Sequence, residues 1–268
     1  MPSTEQRSAE GIHWRIDEHG IGRLVIDRVE RHNTLSEAAA GAFARAVEEL
    51  AAGAPRVVLL TGRGSIFCAG GDIDEFSAHA AALAALVERT LTLIHPALLR
   101  LAELPVPIVT ALNGAVGGAG VGLALCGDFA LAAASMKLRT GYAAIGLSPD
   151  VGASYFLTRR AGSLRARQLF FTSETLSAAR CLDWGIVDAV HPDAQLMAEA
   201  EALCARLAAA APGALAAIKR LCDGAPRRAL GEHLALEQAL LVAQAGSADA
   251  REGVAAFLAR RRPTFSGA

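Results

Sequence analysis

The chain has 268 residues, with 26 basic and 27 acidic side chains, a formal net charge of −1, and 53% hydrophobic but only 5% aromatic residues. So large an apolar share excludes a disordered chain, and the charge balance argues against a protein built to bind polyanions. The length fits one large domain, or one with a smaller helical appendage, whose core is packed from small and aliphatic side chains.

The five cysteines, Cys68, Cys126, Cys181, Cys204 and Cys222, are widely spaced and form no CxxC pair. Neither a zinc-ligand pattern nor a disulfide framework follows, so a reducing cytoplasm is the expected setting. Residues 1–10 are polar with no apolar run after them, which is not the pattern of a signal peptide. The hydrophobic stretch 115–134 holds Asp128 and many glycines, a poor composition for a membrane span.

In chain order, 12–17 and 23–27 read as two strands of a hairpin around His19-Gly20. Ser36 opens a helical pattern with Phe43, Val47 and Leu50 on one face, ending at Gly53. Residues 56–61 form a continuous apolar run, as expected of a strand covered on both faces. A helix is expected over 80–104, and further buried strands over 107–112 and 129–133. Strands alternating with helices predict a largely parallel α/β sheet. Beyond about residue 160 the pattern is helical, over 164–172, 177–184, 193–211, 213–223, 229–244 and 248–261, with a short strand candidate at 186–190. Pro192, Pro212 and Pro226 stand at or near helix starts. The expected division is an α/β core over 1–200 and a helical region over 201–268.

Glycine concentrates directly after predicted strands at 61–73, 112–122 and 146–152. Glycine there lets a backbone N–H approach a ligand that a side chain would block. None of the three fits a Walker loop or a dinucleotide fingerprint. Tight turns and close helix–strand packing account for them as well, on composition alone.

The segments Phe67-Cys-Ala-Gly-Gly-Asp-Ile73 and Asn113-Gly-Ala-Val-Gly-Gly-Ala-Gly120, followed by Gly127-Asp128, resemble those of the crotonase (enoyl-CoA hydratase/isomerase) superfamily. Arg28-Val-Glu-Arg-His-Asn-Thr-Leu35 is similar to that family's first CoA-contacting turn. Asp183-Trp-Gly-Ile-Val-Asp188 and the closing segment 251–265 also match, so the likeness spans about 20–265. It implies a ββα spiral core and a helical C-terminal trimerisation region in a homotrimer or dimer of trimers. It further implies an acyl-CoA thioester substrate that itself carries the coenzyme A, with no prosthetic group, metal, nucleic acid or membrane as partner.

The resemblance places the backbone N–H groups of Gly71 and Ala119 at the thioester oxygen, the second at a helix start where unpaired N–H groups favour negative charge. By the same carry-over, Thr34, Leu35, Ala69, Asp72 and Ile73 line the CoA path. Arg31 is a candidate for a CoA phosphate, and Phe257 and Arg260 for adenine and phosphate contacts, often from a neighbouring subunit. Surface arginines serve equally well as solvated charges.

The reaction depends on acid/base groups. Hydratases of this family carry two glutamates, and the matching positions here are Gly122 and Tyr142. Glycine cannot move a proton, and a phenol near its usual pKa of about 10 is a poor base at neutral pH. Asp150, in Gly146-Leu-Ser-Pro-Asp150, matches relatives in which an aspartate at this turn is the acid/base, among them the phenylacetate-pathway isomerase that acts on a ring epoxide. Such an aspartate is expected in an apolar pocket that raises its pKa. Asp150 also fits as the N-cap of a helix over 151–160.

The reading favours an enoyl-CoA isomerase in the catabolism of fatty or aromatic acids. Its rivals are a hydratase with an altered site, a dehalogenase or thioesterase, and a non-catalytic CoA-binding protein. The cluster Asp72, Asp74 and Glu75 reads as a solvated helix start rather than a calcium loop. The seven histidines, His79, His95 and His191 among them, show no metal-binding spacing and read as structural or surface residues. Cys68 reads as a small apolar side chain.

Overall fold

Apolar runs with no exposed face must be covered on both sides, and two such strands form the centre of the molecule. The computed structural model describes residues 6–268; the first five residues of the polar N-terminal stretch lie outside the described residues. The chain opens with β1 (Arg7–Ala9), β2 (Ile12–Ile16) and β3 (Ile21–Ile26), then α1 (Glu37–Ala52), β4 (Val57–Gly62) and β5 (Ile66–Cys68). There follow α2 (Ile73–Ala78), α3 (Leu83–Ala102), β6 (Ile108–Leu112), β7 (Ala115–Gly117), α4 (Gly120–Leu125), β8 (Phe129–Ala133) and β9 (Lys137–Arg139). The last part comprises α5 (Ala153–Thr172), β10 (Thr175–Ser177), α6 (Ala178–Asp183), β11 (Ala189–His191), α7 (Leu196–Ala208), α8 (Pro212–Gly224), α9 (Leu230–Ala245) and α10 (Ala248–Leu258).

The large sheet has the order β1-β2-β3-β4-β6-β8-β11, antiparallel up to β3 and parallel beyond it. All residues of β4 and β6 are buried, as their unbroken apolar runs require. A second sheet, β10-β9-β7-β5, is built from three-residue strands. Each long strand β4, β6 and β8 feeds a short partner, β5, β7 or β9, and then a helix. This is the expected ββα repeat.

One face of the large sheet is closed by α7, whose Leu196, Ala200, Cys204 and Ala208 meet Val57, Leu59, Val109 and Ala111. On the other face lies α1, capped by the Ser36 hydroxyl accepting from Ala39 N–H, with Phe43, Val47 and Leu50 buried as predicted. Burying each such side chain contributes about 1.5–3 kcal/mol. The stretch 115–134 is strand, short helix and strand inside the core. Helix α3 with its preceding turn is long and apolar enough to cross a membrane by length and composition, yet its Leu86, Ile94, Ala97, Leu98 and Leu101 are buried.

Several boundaries differ from the sequence reading. The strand expected at 186–190 forms at β11, because Ile186 and Val187 spend their N–H groups on the Cys181 carbonyl, closing the end of α6. The helix expected over 80–104 begins at Leu83, after a 3-10 turn at Ala80–Ala82. Pro212 starts α8 as expected, whereas Pro226 lies in a 3-10 turn, Ala225–Arg227.

Candidate active site

Two asparagines, the buried Asn33 and the half-buried Asn113, set the loops around the site. Asn33 donates to the carbonyls of Arg63 and Ile66 and accepts from Arg28 N–H, while Asn113 accepts from Gly62 N–H and donates to Gly64 O. Asn33 holds the β4–β5 connection against the turn that ends at Leu35, and Asn113 holds it against the β6–β7 turn. Leu35 then pairs with Gly71: its N–H reaches Gly70 O at 2.8 Å and its carbonyl accepts from Asp72 N–H at 3.2 Å.

That pairing leaves the Gly71 N–H without a backbone or side-chain acceptor among the described residues, and the Ala119 N–H has none either. The two glycine segments touch: a Cβ on Gly70 would lie 3.0 Å from Gly117 O and 3.3 Å from Ala119 N. Gly70 itself has φ +108°, so glycine is required there for its backbone as well. Gly71 and Ala119 line one cleft together with Leu35, Asp150 and Val151, under apolar walls from Phe76, Val87, Leu91 and Ile94. Among the described residues, the cleft is lined by a single ionisable side chain, that of Asp150.

Asp150 is not the N-cap that the sequence also allowed. Helix α5 begins two residues later than expected, at Ala153, and its cap is Gly152, which has no side chain to offer. The Asp150 carboxylate instead accepts a hydrogen bond at Oδ1 from Tyr142 Oη at 2.7 Å. Burial pushes the Asp150 carboxyl above the usual carboxylate range, and the hydrogen bond from the Tyr142 hydroxyl opposes that rise. Burial, and then the Asp150 charge, push the Tyr142 phenol well above its ordinary value.

The turn carrying Asp150 is held in a shape its sequence does not favour. Val151 is β-branched yet has φ +44°, a conformation such residues rarely adopt. Its N–H donates to His95 Nε2 at 3.2 Å, which requires that nitrogen to be unprotonated. Its carbonyl fits against α4 where Gly122 has no side chain: a Cβ there would lie 1.6 Å from Val151 O. Of the two positions matching the hydratase glutamates, one has no room even for a methyl group and the other is a neutral donor to Asp150. His95, read from the sequence as structural or surface, touches the residue next to Asp150; its spacing gave no signal.

Of the expected CoA residues, Leu35 lines the cleft and the others do not. Asp72 is buried rather than solvated, capping α2 and accepting from Thr34 Oγ1 at 3.1 Å. The Arg31 guanidinium faces Asp74 at 3.0 Å and Asp72 at 3.6 Å. Ala69 and Ile73 are exposed beside them. Phe257, 83% exposed, and Arg260 lie at the end of α10 and do not line the cleft. Cys68 is buried, and burial pushes its thiol up to about 12, so it stays protonated. No group of three or more potential metal ligands occurs among the described residues.

Residues 17–268 match the family model described as enoyl-CoA hydratase/isomerase. The chain belongs to that family. It is 36% identical over 255 residues to the 1,2-epoxyphenylacetyl-CoA isomerase of Escherichia coli (strain K12), covering 93% of this chain and 96% of that one. It is 34% identical to a probable enoyl-CoA hydratase of Rhodobacter capsulatus, with 96% and 98% covered. An enoyl-CoA hydratase structure from Polaromonas sp. JS666 superposes with a TM-score of 0.89 at 32% identity, over 95% of this chain and 99% of that one. The ββα architecture is therefore the crotonase fold, and the chain is an enzyme of a family whose members act on CoA thioesters without a prosthetic group.

Proposed function

We propose that the enzyme is an enoyl-CoA isomerase that shifts a double bond along the acyl chain with Asp150 as its one acid/base. The observation that carries this reading is that Asp150 is the single ionisable side chain lining the cleft among the described residues. Its carboxylate takes a proton from one carbon of the enoyl chain. The electron pair moves toward the thioester, whose oxygen becomes an enolate held by the Gly71 and Ala119 N–H groups. The same carboxyl then returns the proton two carbons away, so the double bond moves and no atom is gained or lost. Backbone donors of this kind contribute a factor of about 10² to 10³ each. The raised affinity of Asp150 for a proton suits a group that must accept and release one.

On this reading Thr34, Leu35, Ala69, Asp72 and Ile73 border the CoA path, with Arg31 exchanging a carboxylate for a CoA phosphate. Phe257 and Arg260 serve a neighbouring copy, and the exposed apolar residues of α9 and α10, Leu234, Leu241 and Val254 among them, are covered in a trimer. The likeness to the Escherichia coli isomerase makes ring-derived acyl groups the substrates to try beside straight-chain ones. The unpaired cysteines suit a reducing cytoplasm.

The likeness to the Rhodobacter capsulatus protein favours a second reading, hydration. Adding water needs a group to activate it besides the proton source for the α-carbon, and neither Gly122 nor Tyr142 supplies one. Incubation with 2-enoyl-CoA and 3-enoyl-CoA thioesters separates the two. Isomerisation gives a product of unchanged mass, and a product heavier by one water would establish the hydratase instead.

A further inference from the structure

We propose that Tyr142 is a positioning residue that fixes Asp150 through Oδ1, leaves Oδ2 as the one oxygen that moves the substrate proton, and sets the pH at which it does so. The proposal rests on Asp150 being the acid/base. Tyr142 is buried and does not line the cleft, so its 2.7 Å bond to Oδ1 comes from behind the carboxylate. Oδ2 accepts no hydrogen bond among the described residues. Its phenol stays protonated throughout the working pH range, so it only donates. A carboxylate pinned at one oxygen cannot rotate to present the other, and the proton leaves and returns through the same atom.

The remaining titratable groups facing Asp150 offer no substitute for that donor. His95, from α3, has its Nε2 occupied by Val151 N–H. Cys68, at the end of β5, is a neutral buried thiol. A hydrogen bond to a charged group contributes enough to shift a carboxyl by about one to two pH units. The Tyr142 bond favours the ionised carboxylate, so its loss raises the pH at which Asp150 gives up its proton.

The chain has only two tyrosines, Tyr142 and Tyr155, which permits a direct test on the unmutated protein. With ring-carbon-13-labelled tyrosine, one of the two Cζ resonances is expected to move with the Asp150 titration and to stop moving in Asp150→Asn. In Tyr142→Phe the acid limb of the kcat/KM profile is expected to rise by about one to two pH units, with kcat falling more than KM changes. A tyrosine spectrum indifferent to Asp150, or an acid limb unmoved in a Tyr142→Phe variant of normal melting temperature, would overturn the proposal. Full turnover by Asp150→Asn would sink the acid/base reading on its own, whatever the tyrosine spectrum shows.

Discussion

Gly122 is the position at which the smallest possible change has the largest expected effect. A methyl group there would stand 1.6 Å from Val151 O, 2.7 Å from Val151 C and 3.1 Å from Ala153 N. Bringing the first contact out to the 3.0 Å that real Cβ atoms require displaces the turn or α4 by about 1.4 Å. The obstacle is backbone, so no side-chain rotation relieves it. Overpacking of this kind costs about 1–3 kcal/mol, and a misplacement of about 1 Å at a reacting group costs about 10² in rate. Gly122→Ala is therefore expected to lower the melting temperature by roughly 3–10 °C and turnover of an enoyl-CoA thioester about a hundredfold. Gly122→Glu, which restores a hydratase-type carboxylate, inherits the same clash and is expected to yield no hydrated product. A Gly122→Ala enzyme with the parent's melting temperature and rate would refute this account of how the Asp150 turn is seated.

Three further outcomes follow from the same geometry. Ala119 has φ −56°, which proline can adopt, so Ala119→Pro removes the N–H proposed as the second oxyanion donor with little backbone change and is expected to cost about 10² to 10³ in kcat; an unaffected rate would remove that N–H from the site. Because the Asp150 carboxyl is raised by burial, its favourable contribution is complete below the usual value of 3.8 and is lost as pH rises through the raised folded value. Urea unfolding of Asp150→Asn should then show a stability advantage over the parent that grows from acid to neutral pH, and parallel curves would contradict the burial argument. Glu252 is held down to about 2 by its hydrogen bond from Arg261 and by Thr264 N–H, so this tie of the C-terminal tail persists above the usual 4.5 and is lost as pH falls toward 2. The protection of the Thr264 amide, measured against its intrinsic exchange rate at each pH, should fall in that window.

The sequence carried the long elements because each leaves a local trace. Unbroken apolar runs marked β4 and β6, the Ser36 cap marked α1, and glycine after a strand marked the segments 61–73 and 112–122, within which only the family likeness picked out Gly71 and Ala119. The three-residue strands β5, β7, β9 and β10 leave almost no periodicity, so the second sheet came only through the family likeness. The gap read between helices near residue 162 is a real break inside α5, where Gly162 departs to φ 78° and ψ 160°. The start of α5 was misplaced because valine disfavours the left-handed region, and nothing local announces that Val151 is held there by His95 from 56 positions away. Tyr142 was legible as a lost glutamate but not as a donor to Asp150, since that contact depends on how the turn folds back.

On the proposed mechanism, one carboxyl at position 150 carries a proton between two carbons of the acyl chain. The most direct test is to incubate the enzyme and its Asp150→Asn variant with a 3-enoyl-CoA thioester in deuterated water, locating deuterium in the product by mass spectrometry. The parent is expected to give the 2-enoyl isomer, with deuterium on the chain only to the extent that the Asp150 proton exchanges with solvent between the two transfers, and the variant neither isomer nor label. Isomerisation that continues undiminished without the carboxylate would contradict the account at its root.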